Sequence, residues 1–257
     1  MRFRHAIVRP PSPNFADGLT TVDLGVPDVD RALEQHEEYC AALERCGLTL
    51  IRMPSDPTHP DSTFVEDAAV LLRDHAVITR PGAPSRAGEV EAIEAALASY
   101  FERRTRIAAP GTLDGGDICE AGDRFLIGIS ARTNEEGARQ LAATVRAEGI
   151  ASTLIDIRGT EGLLHLKSGV SWLGEGRLAV NGSLAAHPSL GAYDLVLVDK
   201  EEAYAANCIR VNDRVVLPSG FPRYERELRA RGYDPLAVDV SEFAKMDGGP
   251  SCLSLRF

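Results

Sequence analysis

The stretch "RFLIGISARTNEEGARQLAATVRAEGIASTLIDI" (124–157) holds a whole structural unit and decides the fold class. "RFLIGI" (124–129) packs Phe, Leu and Ile into a strand-like length. "TNEEGARQLAATVRAEG" (133–149) reads as an amphipathic helix with Thr133 at its N-cap, and "ASTLIDI" (151–157) reads as a returning strand. Strand, helix, strand implies α/β.

Outward from this unit the pattern recurs. Strand-like runs occur at "HAIVR" (5–9), "LTLIRM" (48–53), "FVEDAAVLL" (64–72), "HAVITR" (75–80), "LVLV" (195–198) and "RVVLP" (214–218). Amphipathic helices are expected at 28–47, 89–101 and 223–232, with a weaker one around 183–189. In the first, Val29, Ala32, Leu33, Tyr39, Cys40 and Leu43 follow 3/4 spacing between an Asp28 N-cap and a Gly47 stop. A helix roughly every 45–55 residues, flanked by strands, points to a repeated module. No Pro/Gly/Ser-rich linker divides the chain, so one domain over 1–257 is expected.

The bulk properties narrow the function. A charge of -10, from 38 acids against 28 bases, argues against nucleic-acid binding, which needs clustered cations. It suits a cationic small molecule, although net negative charge also serves solubility alone. "MRFRHAIVRPPSP" lacks the apolar core of a secretory signal, and no apolar run approaches the ~18 residues of a membrane helix. Five cysteines without a CxxC pair read as free thiols in a reducing cytoplasm. There is no GxGxxG at a strand–helix junction, no Walker loop and no HExxH, and the six histidines are scattered, so no cofactor or metal is expected.

Five places can carry chemistry. In "GTLDGGDICEAGDRFLIG" (111–128), Asp114 and Asp117 flank a Gly-Gly turn; alone this is a β-turn, and functionally it is a carboxylate aimed at a histidine. In "LLHLKSGVSWL" (163–173), His165 sits in a strand-like context with a general base's ordinary pKa near ~6.5. "PDSTFVEDAAV" (60–70) places Asp61, Glu66 and Asp67 together. Read as a strand, one of Glu66 and Asp67 points inward and needs a cation, either a protein side chain or a guanidinium ligand. Arg132, before the Thr133 cap, and Arg86, in "PGAPSRAGE" (81–89), suit an anionic ligand group or are plain surface charges. Among the thiols, Cys40, Cys46 and Cys208 read as small hydrophobes and Cys119 is ambiguous, while Cys252 follows a "GGPS" loop at the mouth of a closing strand.

These pieces resemble the dimethylarginine dimethylaminohydrolases, a family of the pentein superfamily of guanidine-modifying enzymes. The resemblance rests on "DGLT" (17–20), "FVEDAAV" (64–70), "RPGAPSR" (80–86) and "GTLDGGDI" (111–118). It continues through "ARTNEEGA" (131–138), "LHLKSG" (164–169), "AANCI" (205–209) and "DGGPSCLSL" (247–255). Eight segments in family order span essentially the whole chain.

The resemblance implies a five-bladed α/β propeller of ββαβ modules around a polar channel. It implies Cys252 as nucleophile, His165 as general acid/base and Asp114 as its acidic partner. Many relatives carry Glu at that last position; the shorter Asp is expected to orient His165 without touching substrate. Glu66 and Asp67 are assigned to the substrate guanidinium, with Asp67 the direct partner, Asp61 to the α-amino end, and Arg86 and Arg132 to the α-carboxylate. Leu19, on a covering loop, and Ser251 are assigned backbone contacts. The implied activity is hydrolysis of N-omega-methylated arginines to citrulline and an alkylamine through a Cys-thiouronium, without cofactor. An arginine deiminase-like hydrolase and a catalytically silent guanidine binder are the alternatives. The implied partner is a small-molecule methylarginine, with no nucleic acid or membrane, and a homodimer is the assembly left open.

Overall fold

In the computed structural model, which describes residues 2–257, fifteen strands make five three-stranded sheets of one design. The chain enters through β1 (His5–Val8), crosses over by α1 (Val29–Arg45) and returns as β2 (Thr49–Arg52), parallel to β1. Three later units repeat an antiparallel pair, a helical crossover and a parallel third strand. The first has β3 (Ala69–Leu71), β4 (His75–Ile78), α2 (Glu89–Leu97) and β5 (Arg103–Arg106). The next has β6 (Ile118–Ala121), β7 (Arg124–Ile129), α3 (Glu135–Ala147) and β8 (Ala151–Asp156).

The fourth unit departs from this plan. β9 (Val170–Gly174), β10 (Arg177–Asn181) and β11 (Asp194–Val198) pair as usual, but their crossover is a 3-10 turn at Pro188–Leu190. The weak helical signal around 183–189 has this physical basis: Gly182, Pro188 and Gly191 break any longer helix. The fifth unit, with β12 (Ile209–Val211), β13 (Arg214–Pro218), α4 (Pro222–Ala230) and β14 (Asp234–Val238), returns to the rule. A short α5 (Ser241–Ala244) leads to β15 (Leu255–Arg256), which pairs antiparallel with β1, Ile7 opposite Leu255. The end of the chain thereby completes the unit that its start began.

β6 lies beside β9, β9 beside β12, and β15 beside β3, so the first strands of the modules gather at a hub. This is the five-bladed α/β propeller that the resemblance implied. Helices pack outside; in the third blade, Leu141 and Val145 of α3 bury fully against Ile127 and Leu113. Such a leucine contributes about 2 kcal/mol through burial. Helix α1 starts where Asp28 accepts the Arg31 N–H at 3.0 Å and stops at Gly47, whose φ of 88° suits glycine. Leu33 faces solvent, and Gln35 and His36 take buried positions instead.

One strand expectation changes the site. "FVEDAAVLL" is strand only over Ala69–Leu71; residues Pro60–Thr63 and Val65–Ala68 are two 3-10 turns. Glu66 and Asp67 therefore leave the backbone by helical rather than alternating geometry. Both are buried, and each meets protein cations.

Candidate active site

The hub turns carry the chemistry. Asp114 is in extended conformation, and Gly115–Asp117 form a 3-10 turn ahead of β6. The Asp114 carboxylate is wholly buried: Oδ1 accepts the Gly82 N–H at 2.8 Å, and Oδ2 meets His165 Nε2 at 3.1 Å. His165 is not in a strand, as its context suggested; it is the extended residue before the 3-10 turn Leu166–Ser168, which precedes β9. The other ring nitrogen, Nδ1, lies over Gly116 beside Asp67. A Cβ at Gly116 would stand 2.8 Å from Nδ1 and 2.9 Å from Asp67 Oδ1, so this glycine makes their approach possible.

Asp67 is fixed by the Gly116 N–H on Oδ1 (2.8 Å) and by Arg86 Nη1 on Oδ2 (2.6 Å). Burial opposes its ionisation, but His165, Arg86 and these hydrogen bonds prevail and hold it down at about 2. His165 shows the converse. Burial favours its neutral form, yet Asp67, Asp117 and Asp114 push it up to about 9. Around neutral pH the imidazole is a cation set among carboxylates.

Cys252 follows the turn at Gly249 and is the one cysteine that is partly exposed; Cys40, Cys46, Cys119 and Cys208 are buried free thiols. Burial together with Glu66 and Asp67 raises the Cys252 thiol above its ordinary range, so it rests protonated. Its turn is tightly braced. Asn207 Oδ1 accepts the Ser251 N–H at 3.0 Å, and Arg256 Nη1 donates to the Ser251 carbonyl (3.3 Å) and the Ser254 carbonyl (2.8 Å). The Tyr39 hydroxyl donates to the Pro250 carbonyl at 2.7 Å, and Glu66 N–H donates to the Cys252 carbonyl at 3.2 Å.

Leu19, Asp61, Asp67, Arg132, His165 and Cys252 border one pocket. Asp61 Oδ1 accepts the Leu19 N–H at 3.0 Å, and Thr21 is tied to the Asp247 carboxylate by its N–H and hydroxyl. The residue 18–22 loop thus lies along the pocket rim beside the 245–248 segment, with the Thr20 hydroxyl donating to the Lys245 carbonyl at 2.9 Å. Arg132 has no carboxylate partner within 4 Å among the described residues. It precedes α3 by more than expected, since Asn134, not Thr133, caps that helix by accepting the Gly137 N–H. The Thr133 hydroxyl instead accepts the Asp114 N–H.

Three residues assigned to substrate are held by protein partners. Glu66 turns away from the pocket, pairing with Lys167 Nζ at 2.5 Å and Arg256 Nη2 at 3.0 Å on the far side of the hub. Arg86 reaches the pocket wall, but Asp67, Glu89 and the Asp61 and Phe64 carbonyls occupy its guanidinium. Ser251 has its N–H on Asn207 Oδ1 and its carbonyl on Arg256 Nη1. Sequence reasoning missed Asn207 and Arg256 as braces. "AANCI" and the closing "LSLRF" contain them, but neither residue type signals a bracing role.

Fold and site together define the pentein class. A model of the arginine deiminase family matches residues 56–173. The chain is 44% identical to an N(G),N(G)-dimethylarginine dimethylaminohydrolase from Pseudomonas aeruginosa, over 99% of this chain and 100% of that one. It is 37% identical to its namesake from Streptomyces coelicolor, over 100% and 98%. The structure of a mutant Pseudomonas aeruginosa enzyme complexed with citrulline superposes with a TM-score of 0.97 at 43% identity, covering both chains fully. The chain belongs to the dimethylarginine dimethylaminohydrolase family.

Proposed function

We propose that this chain hydrolyses N-omega-methylated arginines, releasing citrulline with dimethylamine from asymmetric dimethylarginine or methylamine from the monomethyl form. The observation that carries the reading is the meeting, in one pocket, of the Cys252 thiol, the Asp114-held His165 and the Asp67 carboxylate kept ionised by Arg86. The Pseudomonas aeruginosa and Streptomyces coelicolor relatives carry the corresponding name, and the former was captured with citrulline.

A guanidinium carbon is a poor electrophile because its charge spreads over three nitrogens. Asp67 holds the cation, and Arg132, left without a protein carboxylate, takes the substrate carboxylate. Asp61 faces the α-amino end. Arrival of the cation offsets the carboxylates that keep the thiol protonated, and Cys252 loses its proton to solvent. The thiolate attacks the central carbon. His165, cationic at rest, gives its proton to the departing alkylamine as the C–N bond breaks, leaving a thiouronium on Cys252. Water then adds with His165 as base, and expulsion of the thiolate yields citrulline.

Asp114 orients the imidazole from behind, with both oxygens already engaged. Arg86 contributes through Asp67 rather than through the substrate carboxylate. The test is citrulline release from asymmetric dimethylarginine, monomethylarginine and arginine. Turnover of the methylated forms is expected. Turnover of arginine alone would make the chain a deiminase, and binding without turnover a silent guanidine binder.

A further inference from the structure

Asp117 belongs to the same "LDGGD" turn as Asp114, yet the mechanism leaves it unused. It is fully buried, and no cation is paired with it among the described residues. A buried carboxylate without a counter-ion costs several kcal/mol unless donors satisfy it. Here the donors are specific. Oδ1 accepts the Leu166 N–H at 3.0 Å, from the peptide that joins Leu166 to His165. Oδ2 accepts the Ser130 hydroxyl at 2.7 Å.

Ser130 decides why a carboxylate is needed. Its oxygen accepts the Arg132 N–H at 3.0 Å and the Thr133 N–H at 3.1 Å. A serine hydroxyl has two lone pairs and one proton, so both acceptor sites are filled and the proton is directed to Asp117. An amide at 117 would turn an N–H towards an oxygen that can accept nothing more, or lose the Leu166 bond by flipping. Thr133 then links onward through its hydroxyl to the Asp114 N–H, and Asp114 holds His165. The result is a closed circuit: Asp117, Leu166–His165, Asp114, Thr133, Ser130 and back. Gly128 leaves room for it, since a Cβ there would stand 3.0 Å from both Asp117 Oδ1 and Leu166 Cβ.

We propose that Asp117 is a positioning residue that sets two functional groups at once, the imidazole of His165 through Leu166 and the Arg132 backbone through Ser130. It touches no substrate; it fixes the acid–base group and the carboxylate-binding arginine relative to each other. This rests on the methylarginine hydrolase reading for its kinetic readouts only. The other groups facing the His165 ring are Asp67, Asp114 and Cys252, with Arg86 behind Asp67, and none of these residues is altered in an Asp117 variant.

The test compares Asp117→Asn and Ser130→Ala with the unaltered protein, using three readouts: NMR titration of His165 without ligand, L-citrulline binding, and kcat and KM for asymmetric dimethylarginine. Asp117→Asn is expected to lower the His165 midpoint by about one unit or more, weaken citrulline roughly tenfold, and reduce kcat with a rise in KM. Ser130→Ala is expected to weaken citrulline and raise KM by similar factors while leaving the His165 midpoint within ~0.3 unit. An unshifted midpoint in a folded Asp117→Asn protein, or unchanged citrulline affinity in both variants, overturns the proposal. If circular dichroism shows Asp117→Asn unfolded, Ser130→Ala still decides the Arg132 arm: unchanged citrulline binding and KM sink it. Absence of turnover in the unaltered protein would overturn the hydrolase reading instead, with the titration and citrulline binding still judging Asp117.

Discussion

Glu66 and Asp67 are neighbours with the same charge and nearly the same burial, yet they serve opposite faces of the hub. Asp67 reaches the pocket, where Arg86 and the Gly116 N–H hold it beside His165. Glu66 points to the other side, where Lys167 and Arg256 meet it, and Arg256 in turn grips the nucleophile turn. Asp67 keeps a place on the pocket although Arg86 pairs with it, whereas its neighbour is enclosed by protein cations away from that pocket. In the 3-10 turn at Val65–Ala68, with about three residues per turn, adjacent side chains leave the backbone about 120° apart, enough to send the two carboxylates to different faces. A buried acid is therefore no sign of a ligand site until its cation is known.

The division can be tested from both sides. The largest loss is expected from Cys252→Ser, with citrulline release abolished while circular dichroism and substrate binding stay near those of the unaltered protein; surviving activity would displace Cys252 as nucleophile. Next, Asp67→Asn should reduce kcat/KM by about a thousandfold or more. Breaking its buried pair with Arg86 should also lower stability by about 3–5 kcal/mol, measured by denaturant unfolding. An Asp67→Asn enzyme with normal KM and kcat would place the guanidinium elsewhere.

On the opposite face, Arg256→Met should act through the nucleophile alone, with kcat down about tenfold and KM within about twofold. A large rise in KM there would mean that this face contacts substrate after all. The smallest effect concerns pH. His165 rises to about 9 while burial and nearby acids raise the Cys252 thiol, so kcat/KM should increase from neutral towards alkaline pH. Bound substrate eases thiol ionisation, so the acid limb of kcat should lie lower than that of kcat/KM; coincident limbs would remove the substrate's role. In stability the sign for His165 is opposite: its cation stabilises the fold fully below ~6.5, and that contribution fades as pH rises through about 9.

Some of this was legible in the residues themselves. "RFLIGI" and "RVVLP" match β7 and β13 to the residue, because their apolar content reflects burial in the middle of a sheet. β5, with the sequence "RRTR", gives no such signal; it is an outer strand recognised by its pairing with β4 and not by its side chains. "FVEDAAVLL" misleads for the opposite reason. Its apolar residues are mostly buried, but Val65–Ala68 is a 3-10 turn at the hub and only Ala69–Leu71 is strand.

By itself the sequence determined the α/β repeat, the order of the motifs and, through the family resemblance, which thiol, imidazole and carboxylate to join. Local composition carries that information because burial and turn chemistry act over a few residues. Only the tertiary structure decided which side of the hub Glu66 faces, that Arg86 is committed to Asp67, and that Asp117 closes a circuit from His165 to Arg132. The Glu66 pairs with Lys167 and Arg256 and the Asp117–Leu166 bond join different blades, while the Arg86–Asp67 pair joins two loops of one. A charged side chain's role there depends on which partners the fold sets beside it, and the spacing of residues along the chain does not record that.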